Sequence, residues 1–169
     1  MKRTLWLNRN FLSVTDNGLY LNILERVEGT PARLKEKLTL VKTDLNLITT
    51  KGWSIKKETG HLADLEPLWY ERAIQILEGK EILTAADMTN RKTYETDYDT
   101  FSIEDILHEF EIQRNLLTET LRNVKEEDLL KSSLHPGLNI PMKLIDLAFF
   151  VSEHDDHHLA TITQKLSGK

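Results

Sequence analysis

The chain contains no cysteine. That excludes disulfide frameworks, zinc–thiolate sites and catalysis by a thiol of the protein itself. Any soft-metal chemistry has to run through histidine. Glycine and proline are sparse, 7 and 4 in 169 residues, so little interrupts regular structure. No stretch is long and apolar enough to span a bilayer. The short run Leu5-Trp6-Leu7 behind Met1-Lys2-Arg3 is broken by Asn8-Arg9-Asn10, too early for a signal peptide. A cytoplasmic protein without a membrane partner is the expectation. No basic run occurs and the formal net charge is −5, which argues against a nucleic-acid partner.

What is present is an ordinary globular composition, 40% hydrophobic and 29% charged. Its length suits one domain, residues 1–169, with a proper core. Apolar spacing is helical and strand signals are weak. A first helix is expected from Asp16 to Glu28, with Leu19, Ile23, Leu24 and Val27 inward, ended by Gly29. Thr30-Pro31 then reads as a fresh start, Thr as cap and Pro at the first helical position. Its stripe of Leu34, Leu38 and Val41 is broken near Lys42-Thr43-Asp44. A second helix runs from the Ser54 cap to about Gly79. A third starts at Ser102, where an acid at the third helical position makes a capping-box variant; Ile103, Ile106, Phe110, Leu117, Leu121 and Val124 face inward. The last runs from near Pro141 to near Lys165. Residues 81–100 lack periodicity and form either a functional loop or a strap along the bundle. The fold class is all-α, an up-down helical bundle with at least one long crossover.

Helical phase sorts the six histidines. At about 100° per residue, His158 falls about 20° and His154 about 60° from Val151 at the centre of the last helix's apolar face, and His157 about 120° away. His61 lies about 40° from Leu65, on the inner side of the second helix. His108 should face water, and His135 is expected to brace the loop before Pro136. His61, His154 and His158 are therefore the candidate metal ligands. Three inward imidazoles are hard to satisfy by core hydrogen bonds, whereas an ion accepts lone pairs from all of them.

Glu58, Asp155, Arg72 and Arg114 also project inward. They can form a structural network, Arg72–Glu58 or Arg114–Asp155, because buried charges need partners. Alternatively an arginine such as Arg72 receives an anionic substrate, and Glu58 or Asp155 relays protons. These three are the candidate catalytic residues.

The segment from Trp53 and Ser54 through Glu58, His61, Leu62, Asp64 and Glu66 resembles a signature of the DinB/YfiT-like superfamily. So does His154-Asp155-Asp156-His157-His158-Leu159-Ala160-Thr161-Ile162. Gly29-Thr30-Pro31 and His135-Pro136-Gly137 resemble further landmarks, in the expected order. The resemblance implies a four-helix bundle of the up-down-down-up type, a divalent ion on His61, His154 and His158, and homodimers. Members include S-transferases and isomerases that use low-molecular-weight thiols, and others described as metal-dependent hydrolases. The reaction expected first is attack of a metal-activated thiol on a small-molecule electrophile. The alternatives are a hydrolase that activates water, and a non-catalytic, metal-stabilised stress-response module. Three protein nitrogens leave the ion an open position, as in catalytic sites. Zinc or nickel is expected first, then iron or manganese.

Overall fold

A computed structural model describes residues 4–39, 41, 44–46 and 52–168. Four long helices make the bundle: α1 (Tyr20–Thr39), α2 (Ile55–Leu77), α4 (Ile103–Arg122) and α5 (Leu144–Leu166). A short α3 (Arg91–Glu95) lies in the connection between α2 and α4. Strands β1 (Ser132–His135) and β2 (Ile140–Lys143) form an antiparallel hairpin before α5. Among the described residues no helix is long and apolar enough to cross a membrane.

Contacts fix the directions. Ser54 at the start of α2 bonds Asp99, just before α4 begins (2.5 Å), so α2 and α4 run parallel. The Tyr20 hydroxyl donates to the Leu121 carbonyl, which makes α1 and α4 antiparallel. Glu58 of α2 meets Lys165 of α5, while Trp69 meets Phe150, so that pair is antiparallel too. The order is up-down-down-up, with α1 diagonal to α2. Residues 78–102 are the crossover that this order requires: α2 is about 34 Å long at 1.5 Å per residue, and the chain must return along it. Its lack of periodicity follows from that role. It is pinned to the bundle at Gly60, where an added Cβ would overlap the Tyr98 ring, and at β1, where the Leu83 N–H donates to the Leu134 carbonyl and the Leu134 N–H to the Glu81 carbonyl.

Both serine caps are as expected. Ser54 accepts from the Lys57 N–H (3.1 Å) and Ser102 from the Asp105 N–H (3.0 Å), each satisfying an orphan donor of the first turn. The first helix differs. Asp16 caps a short 3-10 turn at Asn17–Leu19 and α1 begins at Tyr20, with Leu19 exposed. The helix does not stop at Gly29 but passes through Thr30-Pro31 to Thr39. Pro31 cannot donate to the carbonyl four residues back, at Val27. The Arg114 guanidinium does so instead, Nη1 to Val27 O at 2.8 Å. A residue on another helix thus removes the main penalty that proline would impose. Of the predicted break after Val41, Lys42 and Thr43 lie outside the described residues.

The last helix starts later than Pro141. Ile140–Lys143 pairs with Ser132–His135, a strand too short for an alternating pattern to show. Asn139 takes the left-handed conformation the turn needs (φ 53°). The described core divides into two apolar clusters, one around Val27, Trp69, Leu117 and Val151, the other around Leu34, Leu62, Phe110 and Ile162. A polar layer of Thr30, Glu66, Arg114 and Asp155 separates them, and the histidines sit beside it.

Candidate metal centre

The structure brings His61, His154 and His158 together: one ring nitrogen from each lies within 4.8 Å of the others, and all three residues are buried. Ring centroids are 4.6 to 5.4 Å apart. The antiparallel packing of α2 on α5 produces this, since His154 and His158 are one turn apart and His61 faces the gap between them. His157 is half-buried outside the cluster, with Trp6 and Arg9 nearby. His108 is exposed. His135 stands in β1, away from the three.

Hydrogen bonds set the tautomers of two rings. His158 Nδ1 lies 2.7 Å from Glu58 Oε2; a carboxylate only accepts, so Nδ1 carries the hydrogen and Nε2 keeps its lone pair. Thr93 gives its hydroxyl hydrogen to Asp64 (2.7 Å) and so accepts from His61 Nδ1 (3.1 Å). His61 Nε2 is then also free to ligate. Asp64 further receives the Tyr98 hydroxyl (2.7 Å) and Lys92 Nζ (3.0 Å). His154 Nδ1 is buried with no hydrogen-bond partner. Metal–imidazole bonds of about 2.1 Å span separations of this order, and the donor set is that of a histidine metal site. The residues fit a divalent ion.

Their electrostatics agree. Burial, with the neighbouring His158, pushes the His61 imidazole down to about 3. Burial also takes His154 well below the ordinary value. Both rings are neutral at pH 7, the form that ligates. Glu58 is pulled upward by burial, but its bonds to His158 and Lys165 outweigh this and hold it below the usual carboxylate range. Two tryptophans flank the cluster. Trp53 lies 4.7 Å from the His61 ring and stacks over His158 at 6.4 Å, while Trp6 lies edge-on to His154 at 5.2 Å. Lys165 also donates to the Trp53 carbonyl, tying that indole to α5.

The remaining candidates behave differently from one another. Glu58 touches the cluster through His158. Asp155 is fully buried but faces away, holding Arg114 (2.5 Å) and Thr30 (2.8 Å). Of the two networks considered, Arg114–Asp155 exists, enlarged by Glu66 (2.5 Å from Arg114); the Arg72–Glu58 pair does not. Arg72 instead bonds the Thr84 carbonyl and contacts His135. Thr93 was invisible in the sequence because its segment has no pattern. Lys165 looked like an ordinary helix-terminal lysine.

Two expectations follow for this centre. Thr93→Val frees the His61 ring and should weaken metal binding about 10- to 100-fold, read by competition with a chromophoric chelator; unchanged affinity would remove Thr93 from any positioning role. The second concerns acid. His61, His154 and His135 (pushed to about 4 by burial and by Arg72) stay neutral in the folded chain, whereas unfolded imidazoles protonate near 6.5. The unfolded state therefore binds more protons below that pH, and stability falls as pH drops from 6.5. Each histidine costs up to about 1.4 kcal/mol per pH unit in this window. Metal-free protein should hold a constant urea midpoint above pH 7 and lose it steeply between 6 and 4.5. A flat midpoint down to pH 5 would contradict the buried, neutral assignment.

Comparison with known proteins gives a consistent picture. A family model described as the DinB superfamily matches residues 24–162. No curated protein sequence matches significantly. Among solved structures, YfiT from Bacillus subtilis is similar, with a TM-score of 0.78 and 22% identity over 94% of this chain and 91% of that one. It is described as a probable metal-dependent hydrolase with an unusual four-helix bundle topology.

Proposed function

The chain belongs to the DinB superfamily, and from that premise we propose that it is a divalent-metal-dependent enzyme that transfers a low-molecular-weight thiol to a small electrophile. The observation that carries the metal site is the buried group of three imidazoles, with His61 and His158 held in the tautomer that leaves Nε2 free. When bound, a zinc or nickel ion supplies Lewis acidity that lowers the pKa of a ligating thiol or water.

The chain's own residues bind, orient and exclude water. Glu58 holds His158 and is itself held by Lys165 Nζ at 2.6 Å, so both of its oxygens are engaged. Its role is positioning, not proton relay. Asp155 is likewise committed to Arg114 and Thr30. No carboxylate of the described residues joins the three-histidine cluster. A nucleophile at this site, thiol or water, would therefore depend on the ion rather than on a clustered carboxylate for its ionisation. The indoles of Trp6 and Trp53 keep the surroundings of the rings apolar. The absence of cysteine agrees with a nucleophile that arrives as cosubstrate.

A second reading, hydrolysis, is favoured by the description of YfiT. Protein loaded with zinc or nickel, offered a chromogenic electrophile with and without a small thiol, distinguishes them. Conjugation that requires thiol and metal is the expected result. Turnover without thiol would replace it with hydrolysis. A metal-dependent rise in melting temperature with no turnover on either panel would favour the non-catalytic module.

A further inference from the structure

Two arginines are buried among the described residues, and they are treated oppositely. Arg114 has two carboxylates. Arg72, 1% exposed, has no carboxylate within ion-pairing distance among the described residues. Its Nε donates to the Thr84 carbonyl (2.9 Å), Nη1 lies 3.2 Å from His135 Nε2, and the guanidinium carbon stands 5.5 Å over the Trp69 ring. Its Nη2 is buried with no partner. Burial lowers its pKa only to about 10, so it remains a cation at neutral pH.

The surroundings add donors rather than acceptors. The Leu138 N–H points at His135 Nδ1 (3.1 Å) while Arg72 points at Nε2. A neutral imidazole has one ring nitrogen that accepts, so only one of these two donors can be satisfied. Ser133 lies two residues before His135, on the same face of β1. It is 4% exposed, and its hydroxyl has no partner. Glu71 is the one charge that favours the cation, and it does not offset the burial; its Oε1 is taken by Gln75 and Thr84, and each orphaned buried donor remains costly. What this locus lacks is an acceptor carrying negative charge.

We propose that Arg72, Ser133 and His135 form a binding site for a small oxyanion, a carboxylate or phosphate group, beneath the exposed hairpin turn Gly137–Asn139. The free Nη2 supplies a charge-assisted bond and the Ser133 hydroxyl rotates to donate a second. The site is distinct from the metal centre: Arg72 is eleven residues beyond His61 on α2, about 16 Å along the axis. The Trp69 indole, 5.8 Å from the His154 ring, stands between them.

The test follows the melting temperature of the full chain in phosphate, acetate and chloride at constant ionic strength. A saturable rise with phosphate or acetate over chloride is expected. Arg72→Met should abolish it, and Ser133→Ala should weaken the apparent affinity about tenfold. His154→Ala should leave it intact, which separates this site from any oxyanion held at the metal. Identical melting in all three salts would mean that an ordered water fills the locus and would overturn the proposal. So would a full response in Arg72→Met. Should that variant not fold, Arg72→Lys, which keeps the charge but lacks Nη2, decides: an undiminished response rejects the site.

Discussion

His154→Ala should reduce bound metal from one ion per chain to background, whereas His108→Ala should leave it unchanged. His154 forms one corner of the histidine triangle, 4.6 Å from the His158 ring and 5.4 Å from His61, with Trp6 and Trp69 edge-on to it, so its loss leaves two imidazoles. His108 is exposed on α4. The contrast also appears as stability. A ligand at 1,000 times its Kd adds about 4 kcal/mol to the folded state, which for a chain of this size is roughly 8–16 °C. That increment should vanish in His154→Ala and persist in His108→Ala. Elemental analysis and melting with and without EDTA measure both. Equal loss from the two variants would refute the assignment of ligands.

The largest effect on the fold itself is expected from Arg114→Met. Arg114 makes five hydrogen bonds, to Glu66, Asp155 and the Val27 carbonyl. Burial alone would lower its pKa, but the two carboxylates more than offset this and hold it charged. Removing it leaves two carboxylates buried without a counter-ion, at a cost of about 3–5 kcal/mol and a fall of roughly 6–20 °C in Tm. A specific compensation is available. Pro31→Ala restores an N–H that can reach Val27 O. It should recover about 1 kcal/mol in the Arg114→Met background and more than it does in the otherwise native chain. Additive effects in that double-mutant cycle would show that Arg114 is not what sustains the helix through Pro31.

The parts legible in the sequence were those governed by local periodicity. Phase alone placed His61, His154 and His158 inward and His108 outward, because α2, α4 and α5 are regular helices with clear apolar stripes. The serine caps were equally plain. What failed depended on contacts between distant segments. Gly29-Thr30-Pro31 carries every local sign of a boundary, and only Arg114, 87 residues from Val27, overrides it. The hairpin at Ser132–Lys143 was hidden because four-residue strands give no usable alternation. Thr93 completes the setting of His61 from a crossover whose sequence is fixed by the path it must follow, not by a repeating face. Arg72 and Arg114 looked alike as inward arginines; their different partners are a property of packing.

The helix order has a kinetic consequence. No two long helices that follow one another in the chain form an antiparallel pair: α1 lies diagonal to α2, and α2 runs parallel to α4 across the crossover. Most of the core must therefore wait for segments far apart in sequence to meet, and loop closure is spent before burial rewards it. A bundle of the same length with simple up-down-up-down connections can zip from one neighbour to the next. This chain should fold more slowly than such a bundle, with its rate set by the docking of α5, the element that closes both the core and the histidine cluster.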